Sequence, residues 1–445
     1  LYTAPDGTCF VTSFFEEQGH HIASYRDGKQ IAPDRRVPKA GMAVTANSEH
    51  LFTSHGDGFQ RLNHQMGERE FVKVSDSGKR QPVRGLAADE QVVYVSNSLD
   101  HRIEVYDAKT LEPRRRIDFK RPGPLALGAD GMLWVIREGF EENVFEGVNG
   151  NGVYSHDAEI VQLDAGSGTV RATITDVEVP TGIAVDGRRQ RLLVAENGQD
   201  QQVRVYDIAG KPELIGTVGE KGGIYAGVPG EVQDDKFNGL TGVGVDREGN
   251  IYVTGNGWPY QYTAAGLMAN QTSLRAFPPS AVNASAPETK WCLNHLGYIF
   301  DGATLDPADK SVAHVGADQL YKMDWSKDKP GSEATYERIT ASRQAFPMEY
   351  MGRRGRSTPY IRRMEGERIL VLDGSHFYRF DHDEHGYTAI PAAKIGTHGY
   401  RKTPKWPENI PVDKRTPFVW VDGHGGGPVD GKAQAEEYWT DEKLK

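Results

Sequence analysis

A unit of about 40 to 60 residues recurs along this chain, and that recurrence limits its fold more than any other feature. Each unit opens on a short stretch with a small residue, alternating apolar positions and usually an Asp. These stretches are Lys39–Val44, Val83–Asp89, Pro122–Leu127, Pro180–Asp186 and Leu240–Asp246. A β run follows each of them, at Leu51–Thr53, Val92–Val95, Met132–Val135, Leu192–Val194 and Ile251–Val253. A third run then appears, as in Arg102–Asp107, Glu159–Asp164 and Gln202–Asp207. Period-two alternation bounded by Asp and Gly turns predicts half-buried strands.

Two further units are degenerate, from about Tyr298 to Asp324 and from Tyr360 to Asp381, and the start of the chain (Asp6–Val11, His21–Tyr25, Gly28) reads as another. A repeat of this length built only from strands predicts an all-β fold, a β-propeller of seven or eight four-stranded blades, with one blade completed from the other terminus if there are seven. The propeller is expected over residues 1–393. An irregular C-terminal extension is expected over 394–445, with an extended wrap at Lys394–Lys414; Pro278–Lys290 reads as a linker between blades.

Composition narrows the function classes. The 52 Lys and Arg stand against 62 Asp and Glu, a net charge of −10. Such a chain has no general electrostatic attraction to nucleic acid or to an anionic membrane. No apolar run approaches the roughly 20 residues needed to cross a bilayer, so no membrane span is expected. The two cysteines, Cys9 and Cys292, make neither a disulfide framework nor a structural zinc pattern. A Cys9–Cys292 pair and two free thiols both stay open.

Within a propeller blade the connection from second to third strand, and the connection from the last strand to the next blade, lie at one end of the ring. Three insertions lengthen that end: Gly139–His156, Gly219–Asn238 and Gly255–Gln271, the last carrying Trp258, Tyr260 and Tyr262. Long connections inside compact repeats favour a binding surface. The second strands also end there, which places His55, Asn97, Glu138, Glu196 with Asn197, Asn256, His314 and Asp373 around the channel. Glu138, Glu196, Asn256 and Asp373 would suit one divalent cation, Ca2+ or Zn2+, with no nucleotide cofactor indicated. The same groups would equally hydrogen-bond sugar hydroxyls, cap turns or hold channel water.

The stretches Leu240–Asn256, Pro180–Asn197 and Val83–Asp107 resemble NHL repeats, and the chain as a whole resembles secreted bacterial NHL-type propeller proteins. In those proteins a Trp-x-Asp-x-Asn-Gly-Asp-Gly segment with later acidic residues follows the propeller; here the matching stretch is Trp420–Gly427 with Glu436 and Glu437. The resemblance implies export, so an extracellular or periplasmic location is expected. The set Glu138, Glu196, Asn256 and Asp373 is similar in kind to the channel metal ligands of the six-bladed SMP-30 lactonases. Asp422–Glu437 resembles an EF-hand-like calcium loop with Asp422 and Gly427 in place. His424, Gly426 and Ala433 stand where oxygen ligands belong, so the loop reads as degenerate.

Other motifs carry less. His424–Gly427 has the composition of an oxyanion loop, but no Gly-x-Ser-x-Gly accompanies it. Gly147–Gly152 lacks the Lys-Ser/Thr of a phosphate loop. Arg114–Arg116, Arg188–Arg189 and the set Arg353, Arg354, Arg356, Arg362 and Arg363 read as solvated faces, the last also suited to a uronate or sulfate.

Two function classes follow. One is an exported binding module holding a polysaccharide, small-molecule or protein ligand through Asn97, Asn197, Trp258, Tyr260 and Arg353. The other is a metal-dependent hydrolase or lyase on a sugar, uronate or lactone, with Glu138, Glu196, His55 and Asp373 as catalytic groups.

Overall fold

In a computed structural model of the chain, the structure describes residues 1–15, 19–36, 40–75, 82–138, 158–256, 271–296, 303–315, 319–330, 332–340, 360–364, 367–372, 375–380, 388–397 and 416–440. Among these residues lie eight antiparallel sheets, seven of four strands and a last one of six. The β-propeller architecture expected from the repeats is therefore present. Among the described residues no helix is long and apolar enough to cross a membrane.

The repeat has a local cause at each of its parts. Asp107 and Asp164 end the third strands of their sheets and accept N–H bonds from the residues two and three positions on (Lys109 and Thr110; Gly166 and Ser167). These carboxylate-capped turns send the chain back into the fourth strand. The turn N–H donors and neighbouring Arg171 hold the Asp164 carboxyl down at about 2.

The glycines of the Val83–Asp89 and Pro180–Asp186 stretches lie where innermost strands of adjacent sheets approach. A Cβ at Gly85 would fall 2.3 Å from the Gly123 carbonyl oxygen, and one at Gly182 would fall 2.8 Å from the Gly242 Cα. Backbone cannot yield as a side-chain tip does, so Gly85→Ala is expected to destabilise by about 1–3 kcal/mol, measured by denaturant unfolding. An unchanged midpoint would mean that the inner strands do not pack this closely.

Apolar side chains then fuse neighbouring sheets. The third and fourth share a core of Ile103, Val105, Leu125, Leu133, Val135 and Val161. The fifth and sixth share one of Leu193, Val203, Phe237, Val243 and Val253. Packing continues from the first sheet through the second to the sixth, and the first sheet returns onto the sixth. There Cys9 packs with Tyr252, Leu274 and Ala276, while Leu1 and Thr3 lie over Gly242 and Gly244. Six sheets thus close a ring, and the first of them is built wholly from N-terminal strands (Tyr2–Thr3, Cys9–Phe15, Gly19–Arg26, Lys29–Arg36).

The seventh and eighth sheets pack on each other. Arg363 pairs with buried Asp306 at 2.9 Å, and the His314 ring meets Phe380 edge-on with centroids 5.1 Å apart.

Two local expectations change. Pro278–Lys290 is no linker between blades: it joins strands Gln271–Phe277 and Trp291–Leu296 of the sixth sheet, which pair Leu274 with Leu293. A Pro-rich composition marks a break in pairing but not which strands lie on either side. Lys394–Thr397, expected to begin an extended wrap, belongs to strand Ile390–Thr397 of the eighth sheet, which Pro417–Val421 and Tyr438–Thr440 continue. The rest of the expected wrap, 398–414, falls outside the described residues. Cys9 and Cys292 are both free thiols, and burial pushes them up to about 12 and about 11.

Candidate functional site at the long-connection end of the ring

The second strands of the second to sixth sheets end at His55, Asn97, Arg137, Glu196 and Asn256. His55, Asn97, Glu138, Glu196 and Asn197 therefore reach one end of the ring, as their spacing predicts. What their side chains do there is local and internal.

Glu138, just past strand Met132–Arg137, is buried against Arg84 of the third sheet. The Arg84 Nε donates to both carboxylate oxygens at 3.1 and 3.3 Å, and Nη2 lies 3.0 Å from one of them. Gly123 makes room for this carboxylate, since a Cβ there would lie 2.6 Å from the Glu138 Cγ. Burial raises the Glu138 carboxyl, and the Arg84 and Arg121 charges oppose that rise without cancelling it.

Glu196 accepts three backbone N–H bonds, from Glu178 at 2.9 Å, Val179 at 2.5 Å and Gly198 at 3.1 Å. It ties the entry of the fifth sheet's first strand to the exit of its second. Burial again raises the carboxyl, with those N–H donors pulling it down. An amide at this position would turn a donor toward at least one of those N–H groups. Glu196→Gln is accordingly expected to cost about 1–3 kcal/mol of stability in chemical denaturation. Full stability in that variant would mean the carboxylate is not a structural cap.

The amides are engaged in the same manner. Asn197 accepts from the Gln201 side chain at 2.7 Å, and Gln201 in turn accepts the Gly239 N–H at 2.8 Å. Asn97 donates to Asp100 at 2.9 Å and Glu104 at 3.2 Å and accepts the Asp100 N–H at 3.0 Å. His55 lies against the Phe71 ring, 4.8 Å between centroids. Asn256 is described as the end of its strand only. Trp258, Tyr260, Arg353 and Asp373 lie outside the described residues, as do the connections 139–157 and 257–270. Among the described residues no group of three His, Cys, Asp or Glu is placed to hold a metal ion.

The third long connection, Gly219–Asn238, is described in full, and sequence reasoning missed its central residue. Lys236 follows two aspartates and reads as a solvated charge, yet it is only 2% exposed. Its Nζ donates to the Ala226 and Val228 carbonyls at 2.7 and 3.2 Å and lies 3.5 Å from Glu231. Arg275, 1% exposed, donates to the Lys236 carbonyl at 2.8 Å and covers the Phe237 ring. No motif announces two buried cations under one loop.

In the C-terminal loop Asp422 pairs with Arg379 and accepts the N–H groups of Asp430 and Gly431 at 3.1 and 2.9 Å. Glu437 accepts from Trp420 Nε1, Gly423 N and Gln434 N. Two buried carboxylates thus brace this loop through the chain's own donors.

Comparison with known proteins adds to the fold. A family described as "Beta-propeller repeat" matches residues 241–258, the first two strands of the sixth sheet and two residues beyond. No curated protein matches the chain. Among solved structures it is similar to hydrazine synthase of Kuenenia stuttgartiensis, at 11% identity over 80% of this chain and 78% of that one, with a TM-score of 0.34. It is also similar to a chain of a mitotic checkpoint complex (13% identity, 76% and 86% coverage, TM-score 0.42). A third is a functionally unknown protein from Desulfotomaculum acetoxidans (10% identity, 74% and 94% coverage, TM-score 0.38). The eight antiparallel sheets among the described residues of this chain, with the repeat matched in the sixth, make it a β-propeller protein.

Proposed function

We propose that this protein is an exported binding module that takes a carbohydrate, or another extracellular ligand, on the end of the ring where the long connections lie. The observation that carries this reading is the engagement of Glu138 and Glu196 by the chain's own donors. A hard cation takes six to eight oxygens, and carboxylates already spent on a guanidinium and three N–H groups are poor ligands for one. A rigid, internally satisfied rim suits the presentation of longer connections above it. Trp258 and Tyr260 offer apolar faces with polar tips, and Arg353 offers a fork for a uronate carboxylate. The NHL-type resemblance supports an extracellular or periplasmic location.

One observation favours a second reading. Burial raises both Glu138 and Glu196, and raised carboxyls in a cleft are the usual general acids. That reading is a hydrolase or lyase on a sugar, uronate or lactone, with His55 and Asp373 as further catalytic groups and a divalent cation on Asn256 and Asp373 beside the two glutamates.

Retention on immobilised neutral and uronate polysaccharides separates the two. The binding reading expects the wild type to be retained with no sugar released, and Trp258→Ala with Tyr260→Ala to lose retention at unchanged melting temperature. Equal retention by the double variant would remove these aromatics from the site. Product formation abolished by Glu138→Gln in a folded protein would favour the second reading.

A further inference from the structure

The connection Gly219–Asn238 runs from the last strand of the fifth sheet to the first of the sixth, so it stands at the long-connection end of the ring. Its outer part, 229–232, pairs with the last strand of the seventh sheet, Ala334–Ile339. Glu231 and Arg338 form an antiparallel bridge, the Val232 N–H donates to the Glu337 carbonyl at 3.1 Å, and Arg338 Nη1 donates to the Pro229 carbonyl at 3.2 Å. Arg338 is buried in doing so. On the far side the seventh sheet is fastened to the eighth through Asp306–Arg363, His314–Phe380 and the Ala389 N–H to the Thr340 carbonyl at 2.7 Å.

We propose that the seventh and eighth sheets form an arm that docks on and releases from the ring as a unit, with the pairing of 229–232 against 337–338 as its latch. The two sides of the latch differ in how they are held. The ring side is fixed on buried Lys236, with Ile224 buried beside Tyr225 and Val232. The arm side is fixed within its own two-sheet stack. Among the described residues a short bridge joins them, the kind of junction that opens well before either body unfolds. The proposal goes beyond the binding reading and needs no ligand for its test.

The register supplies a lock. A Val232 N–H donating to Glu337 makes Glu231 and Arg338 a non-hydrogen-bonded antiparallel pair, whose Cα atoms lie closest, within disulfide reach. Hydrogen exchange of the full chain is the experiment, on wild type, Arg338→Ala, and Glu231→Cys with Arg338→Cys in a Cys292→Ser background. Arg338→Ala should speed exchange at 230–232 and 334–339 by about tenfold, one lost hydrogen bond's worth, with no change in the ring strands 191–196 and 251–256. The oxidised double-cysteine protein should slow the same segments, and reduction should restore them. Failure of the disulfide to form, or exchange at 230–232 and 334–339 that follows the ring strands in every variant, would overturn the latch. Loss of polysaccharide retention would bear on the binding reading alone.

Discussion

Arg84→Ala is expected to destabilise the protein by about 3 kcal/mol at neutral pH, because it leaves the Glu138 carboxylate buried between two sheets without its partner. The deficit should depend on pH with a definite sign. Burial raises Glu138 above its ordinary 4.5 in the folded chain, so between 4.5 and that raised value the folded state carries a proton that the unfolded state has lost. The unfolded state then binds fewer protons, and stability falls as pH rises through this window. Removing Arg84 takes away a charge that opposes the rise, which widens the window upward. The variant's deficit should thus be small near pH 4.5 and grow toward its full value at higher pH. Urea unfolding of wild type and variant across this range measures it. A deficit that is constant with pH would mean that the guanidinium stabilises through packing rather than through the Glu138 charge.

The second large effect is expected at Lys236. Lys236→Met keeps the length of the stem but removes the donor to two carbonyls and the partner of Glu231. Unsatisfied buried acceptors cost about 1–3 kcal/mol each when a charged donor is lost, so a loss of about 3 kcal/mol is expected in thermal or denaturant unfolding. The loop 219–238 should lose exchange protection before the strands that flank it. Lys236→Arg should recover little, since a planar fork does not fit a site shaped for an ammonium. Unchanged protection in 219–238 for Lys236→Met would show that Ile224 and the Arg275–Phe237 contact hold the loop without the ammonium.

The parts of the fold that depend on neighbours in sequence were legible. Period-two runs and Asp turns located the strands of the ring, because the Asp side chain closes its turn within three residues. Strand ends placed Glu138, Glu196 and Asn97 at one end of the ring, since every second strand points the same way. What those side chains meet was not legible. The partner of Glu138 lies 54 residues earlier on another sheet, and three N–H groups converge on Glu196 only through the geometry of a turn and a strand entry.

Ring closure was hidden for the same reason. It rests on Leu1 and Thr3 fitting over Gly242 and Gly244, a match between edges that no repeat unit carries within itself. Lys236 was hidden by its surroundings: beside Asp234 and Asp235 a lysine looks solvated, and only the folded loop turns its ammonium onto inward-facing carbonyls.

The central claim is that the strand-end carboxylates serve the architecture and leave ligand capture to the connections above them. Elemental analysis of the full chain, purified and dialysed without chelator, tests it most directly. The account predicts no stoichiometric divalent cation, with Glu196→Gln changing stability but not metal content. A divalent cation near one per chain, lost on Glu196→Gln or Asn256→Ala, would contradict it and assign the channel end to metal-dependent chemistry.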